Sequence, residues 1–119
     1  MSSDPATGFL TIDVEEWFHI LDDPAVPDFG QWAGLESRLQ RNMELLLSLL
    51  DEYKVKATMF WLGWAAEKHP TLLHRCAEAG HEIASHGYAH VLAYEVEREK
   101  FREDIMHGKK VLENIVGKE

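Results

Sequence analysis

The chain has a single cysteine, Cys76, so it has no internal disulfide, and a reducing compartment is the simpler setting. Basic residues are also scarce. Twelve lysines and arginines stand against 21 acids, a net charge of −9. No basic stripe is left to follow a phosphate backbone, which excludes a nucleic-acid partner. No apolar run approaches the length of about eighteen residues that a membrane-spanning helix needs. Residues 1–7 are polar and carry neither a charged start nor an apolar stretch, so they do not read as a signal peptide. The expected location is cytoplasmic. The chain also lacks repeats and low-complexity segments. With 119 residues, 45% of them hydrophobic, it is long enough for one domain with one core.

What is present is alternation. Residues 8–14 (GFLTIDV) are apolar and β-branched and predict a buried strand. Residues 21–34 hold two prolines and two glycines and predict a loop. Over residues 35–53, Leu35, Leu39, Met43, Leu46, Leu47 and Leu50 recur at helical spacing. Residues 57–62 predict a second strand closed by Gly63, and residues 64–68 a short helix. Thr71 is the expected N-cap of a helix over residues 72–79, with Gly80 as its stop. Residues 81–85 predict a third strand, and residues 94–116 a long helix ended by Gly117. The order β, α, β, α, β, α defines an α/β chain with parallel strands and right-handed crossovers. In such sheets chemistry collects at the carboxyl ends of the strands.

Two short constellations fall at those ends. Asp13 and Glu15 are two apart on an extended segment and can share a face while Val14 points away. One carboxylate of such a pair can bind a cation and the other take a proton from water. The bland reading is a pair of solvated strand-end acids. Glu16 is an alternative ligand to Glu15. His86 and His90 are four apart around Gly87, and both imidazoles can face one ion. Seven histidines in one short chain also produce such spacings by chance. Ser85 can tie down a ligand or its loop through its hydroxyl. His19 is expected to pack rather than line a cleft. Trp17, Phe18, Trp32, Trp61 and Trp64 are expected mostly in the core, with some forming an apolar or sugar-stacking wall. Cys76 reads as a small core residue.

The strings TIDVEEWFH (11–19), KATMF (56–60) and GHEIASHGYAH (80–90) together resemble the polysaccharide deacetylases with a NodB-homology domain, carbohydrate esterase family 4. The likeness is greatest to the branch linked to bacterial exopolysaccharide and peptidoglycan-type substrates. The resemblance implies a distorted (β/α) barrel, of which about three βα units are present. It implies a divalent metal, most often Zn2+, held by Glu15, His86 and His90, with Asp13 as catalytic base. It implies hydrolysis of N-acetyl groups on an amino-sugar polysaccharide. Many members carry adjacent aspartates where this chain has Asp-Val-Glu, so the carboxylate ligand is less firmly assigned than the histidines. The family's later motifs, an arginine-proline stretch and a catalytic histidine, are not in residues 1–119. The expectation is therefore the amino-terminal portion of the domain, inactive on its own. Two other readings stay open. One is a noncatalytic metal-binding half-barrel that forms a homo-oligomer over its open sheet edge. The other is an amidohydrolase acting on a small-molecule amide.

Overall fold

The structure is a computed structural model that describes residues 6–20, 23, 25 and 27–117. The loop expected over residues 21–34 lies partly outside the described residues, as does most of segment 1–7. Three strands form one parallel sheet in the order β1 (Thr11–Val14), β2 (Thr58–Trp61), β3 (Glu82–Ser85). Asp13 pairs with Phe60 and Phe60 with Ala84; Val14 pairs with Trp61 and Trp61 with Ser85. Among the described residues four α-helices accompany the sheet: α1 (Leu39–Glu52), α2 (Gly63–Lys68), α3 (Pro70–Glu78) and α4 (Arg98–Val116). Among the described residues, no helix is long and apolar enough to cross a membrane.

The alternating strand pattern sorts the two faces of the sheet. Val14, Met59 and Trp61 are buried in one cluster with Leu39, Met43, Leu47 and Leu50 of α1 and with Leu72, Leu73 and Cys76 of α3. Burial of each large apolar side chain contributes roughly 1.5–3 kcal/mol before ordering costs. The opposite face carries Asp13, Phe60 and Ala84, which are only partly buried or exposed. A second, aromatic cluster of Phe18, Trp32 and Trp64 sits beside the first. Of the five aromatics expected mostly in the core, Trp17 alone stays substantially exposed.

Four elements start two or more residues away from the sequence expectation, and the other boundaries differ by at most one. The first strand starts at Thr11, not at residue 8: its register with β2 begins at Thr11, just after the Leu10 carbonyl accepts the Thr58 N–H at 2.9 Å, and residues 8–10 are exposed. Helix α1 starts at Leu39 rather than residue 35. Leu35 closes a 3-10 helix (Phe29–Gly34) by donating its N–H to the Trp32 carbonyl, and the Arg38 N–H is taken by the Glu16 carboxylate. Thr71 is not an N-cap: Pro70 is the first residue of α3, where a missing N–H costs nothing, and His69 precedes it. Helix α4 starts at Arg98 rather than residue 94, because Glu97 is extended and a turn joins the Glu95 N–H to the Leu92 carbonyl.

Candidate metal centre

The histidine loop follows β3, and its backbone is held group by group. The His86 N–H donates to the Trp61 carbonyl at 2.9 Å. The Gly87 N–H donates to Ser85 Oγ at 3.2 Å, so the serine ties down the loop. The carbonyls of Gly87 and Tyr88 accept the first two N–H groups of α2, from Gly63 at 2.8 Å and Trp64 at 3.1 Å. These are the donors a helix start leaves without intrahelical partners. The N–H groups of Tyr88 and Ala89 donate to the two carboxylate oxygens of Asp104 on α4, at 3.0 and 2.9 Å. The loop then turns sharply: Gly87 has φ +74° and His90 φ +55°. A left-handed histidine is uncommon, and it persists only where its surroundings over-determine it.

Tyr88 is fixed as well. Its hydroxyl donates to Glu67 at 2.8 Å and its ring stacks on His107 at 3.8 Å. Burial, helped by the Glu67 contact and the nearby Asp104 charge, pushes its phenol up to about 12.

The two glutamates after β1 diverge. Glu16 is 4% exposed and turns into the scaffold. It accepts the Ser37 hydroxyl and the Arg38 N–H, and His69 Nε2 lies 3.6 Å away. Glu16 is therefore a strut between the β1 end, the start of α1 and the α2–α3 joint. Glu15 points the other way, toward the histidines.

Glu15 Oε2 stands 3.8 Å from His86 Nδ1 and 3.4 Å from His90 Nε2. One ligand atom from each of these three residues lies within 4.8 Å of the other two. Tetrahedral donors on a zinc ion, each bonded at ~2.0–2.1 Å, stand roughly 3.4 Å apart. Glu15 Oε2 and His86 Nδ1 are buried and have no hydrogen-bond partner among the described residues. His90 Nδ1 lies 2.8 Å from the His19 carbonyl, to which it donates, leaving the Nε2 lone pair directed toward Glu15. The donor set and its orphaned atoms fit a single divalent cation.

His19 itself packs, as expected, though it also borders a cleft. It is 1% exposed, and its Nδ1 accepts the Glu16 N–H at 2.9 Å. Its ring contacts Phe18, Trp32 and Trp64. Burial first, then the neighbouring His90 and His86, lower its pKa to about 4. Asp13 stands apart from the cluster of three. It is exposed on the open face of β1, two residues before Glu15 and level with Phe60. Sequence reasoning missed Asp104, the His19 carbonyl and the helix glycine Gly108. Only Gly108 had a sequence signal, since glycine inside a helix costs about 1 kcal/mol and asks for a reason. The reason is contact: a Cβ there would lie 2.5 Å from the Gly87 carbonyl carbon.

Residues 28–119 match the sequence profile of the polysaccharide deacetylases, and the chain belongs to that family. It is 38% identical over 71 residues to a peptidoglycan-N-acetylglucosamine deacetylase of Bacillus cereus, covering 60% of this chain and 33% of that protein. It is 42% identical over 45 residues to a chitooligosaccharide deacetylase of Rhizobium leguminosarum bv. trifolii, covering 38% and 21%. A crystal structure of a peptidoglycan N-acetylglucosamine deacetylase bound to an N-oxidanyl-benzamide superposes with a TM-score of 0.68. That pair is 30% identical and covers 92% of this chain and 41% of the other. The chain thus spans about a third of the curated B. cereus relative and two fifths of the solved one. With such neighbours, the three-stranded parallel sheet is part of a (β/α) barrel of the deacetylase type.

Proposed function

We propose that this chain carries the metal-holding and base-bearing residues of a metal-dependent N-deacetylase acting on amino-sugar polymers. The observation that carries this reading is the cluster of Glu15, His86 and His90, two of whose ligand atoms are buried without hydrogen-bond partners among the described residues. Two imidazole nitrogens and one carboxylate oxygen suit Zn2+ and leave a position open. The relatives named above as deacetylases of peptidoglycan and chitooligosaccharide supply the substrate class. The N-oxidanyl-benzamide bound to the solved relative is a hydroxamic acid, a class of compound that chelates metals through two oxygens.

In this reading, Glu15, His86 and His90 would hold the cation, and His19 fixes the tautomer of His90 through its carbonyl. A bound divalent cation supplies Lewis acidity and a water of lowered pKa. Asp13, on the same strand face as Glu15, accepts the proton of the attacking water. The exposed position of Asp13 leaves it reachable by a polymer lying over the open sheet face. Adjacent Glu16 takes no part in the chemistry, being committed to Ser37 and Arg38.

The test is a zinc titration by calorimetry. One zinc per chain is expected, with affinity lost in Glu15→Gln and His86→Ala and kept in Asp13→Asn. Equal zinc binding by wild type and both ligand variants would refute the assignment. Acetate release from an N-acetylated chitooligosaccharide, measured in a full-length deacetylase domain that includes these residues, should fall in Asp13→Asn without loss of zinc.

A further inference from the structure

Beside the metal cluster lies a cleft of about 320 Å³ that has no role in the scheme above. His90 is shared between the two, so the cleft opens next to the proposed centre. Its volume lies at the lower end of the range for small-molecule sites. Phe29 and Trp32 form an aromatic wall, with ring centroids 4.9 Å apart, and Leu92 and Val96 also line the cleft. Phe29 is 49% exposed, a large apolar ring left in water at the border of a cavity.

His19 also lines this cleft, and it supplies the second, independent observation. Its Nδ1 accepts the Glu16 N–H, so in the neutral ring the proton sits on Nε2. That Nε2 is buried and has no hydrogen-bond partner among the described residues. An unmet buried donor is costly and rare, so it calls for a partner oxygen. The charged groups lining the cleft are all of one sign. Asp23, Asp28 and Glu95 border it, and no lysine or arginine does among the described residues. Asp23 accepts the Ala25 N–H at 2.9 Å, and the backbone of Asp28 is tied to Gln31 at the start of the 3-10 helix.

We propose that this cleft is a saccharide subsite for an uncharged N-acetylhexosamine unit next to the one hydrolysed, and that it rejects a unit bearing a carboxylate. The proposal rests on the deacetylase reading for its ligand class. The aromatic wall offers a face for the apolar side of a sugar ring. The His19 Nε2–H donates to a hydroxyl or acetamide oxygen. The three acids accept from sugar hydroxyls and repel an anionic substituent such as the lactyl carboxylate of a muramic unit. A subsite of this kind selects chitin-like stretches over alternating, acid-bearing ones.

The experiment uses the full chain stripped of metal with EDTA, so that no turnover intervenes. Binding of N-acetylchitotetraose and of an equally long oligosaccharide containing muramic acid is followed by NMR titration. The neutral ligand is expected to bind at least tenfold more tightly. Phe29→Ala, at an exposed ring whose loss leaves the core intact, should weaken it about tenfold while zinc affinity stays unchanged. His19→Phe should also weaken it, and His19→Gln, which keeps an N–H donor, should recover part of the loss. Asp23→Asn combined with Glu95→Gln should narrow the discrimination. Equal binding of the two ligands, unaltered binding by Phe29→Ala, or no saccharide binding by folded wild type would each overturn the subsite. Saccharide binding in a wild-type chain that takes up no zinc would instead overturn the metal reading and leave the subsite standing.

Discussion

Asp104 and Ala89 are joined by a hydrogen bond of 2.9 Å from the Ala89 N–H to the carboxylate, and the neighbouring Tyr88 N–H takes the other oxygen at 3.0 Å. One side chain on α4 thus holds the backbone between the two histidines. The loop's geometry depends on a residue eighteen positions after His86.

Removing that carboxylate should be felt at the metal before it is felt in the fold. Asp104→Ala leaves two partly buried N–H groups without acceptors, at roughly 1.5–3 kcal/mol for each bond to a charged group. Zinc affinity should fall about 10–100-fold, the usual cost of losing an outer-shell partner. Asp104→Asn keeps one acceptor oxygen and should fall between. Calorimetric zinc titration with parallel urea unfolding checks both; unchanged affinity in Asp104→Ala would remove the residue from any role in the site.

Gly108→Ala sets two effects against each other. Alanine gains about 1 kcal/mol of helix propensity over glycine. Its Cβ, however, would sit 2.5 Å from the Gly87 carbonyl carbon and 2.6 Å from its oxygen, both backbone atoms that cannot swing aside. Overpacking of this kind costs about 1–3 kcal/mol. The expected net result is a lower melting temperature and weaker zinc binding. A raised melting temperature would show that α4 does not press on the histidine loop.

Acidification should destabilise the metal-free chain through His19. Its pKa is lowered from 6.5 to about 4 in the folded state. A depressed histidine contributes stability that is fully present above the unfolded value of 6.5 and is lost as pH falls through about 4. The loss is at most about 3 kcal/mol and is smaller after solvent screening. His81 moves in the same direction, chiefly through burial. Urea unfolding in EDTA at pH 7.5, 5.5 and 4.5 should show a steeper decline for wild type than for His19→Phe. Parallel declines would rule out His19 as the source.

Cys76 should be unreactive in the native chain. It is fully buried on α3, and burial, partly offset by Arg75, raises its thiol to about 11. The thiolate is the reactive form, so labelling by a disulfide reagent should be slow and should accelerate on adding urea. Immediate stoichiometric labelling at neutral pH would place this side of α3 in solvent.

Much of this was legible in the residues. The order of strands and helices followed from periodicity, and the packing of Leu39, Met43, Leu47 and Leu50 from their spacing. That the Asp13/Glu15 pair and the His86/His90 pair belong to one site followed from placing short motifs at strand ends; the choice of Glu15 as the carboxylate beside the histidines came from the family resemblance. Strand alternation also favoured Glu15 over Glu16, and the two side chains do part in that sense. What was not legible is tertiary. Leu35 has the spacing of a helix residue, yet its N–H is already used by the preceding 3-10 turn. Thr71 looks like a cap, but Pro70 starts the helix ahead of it. Asp104 is one of 21 acids, and nothing local marks it as the acceptor for a loop that meets it only after folding. The His19 carbonyl is backbone, and sequence is silent on where a carbonyl points.

The opposed directions of Glu15 and Glu16 carry a consequence for how related chains are compared. A gap misplaced by one position exchanges an acid that braces the scaffold for one that faces two imidazoles, and a similarity score would barely register the change. Relatives with a single acid at this step should therefore be aligned on the Ser37–Arg38 contact rather than on the acidic letters themselves.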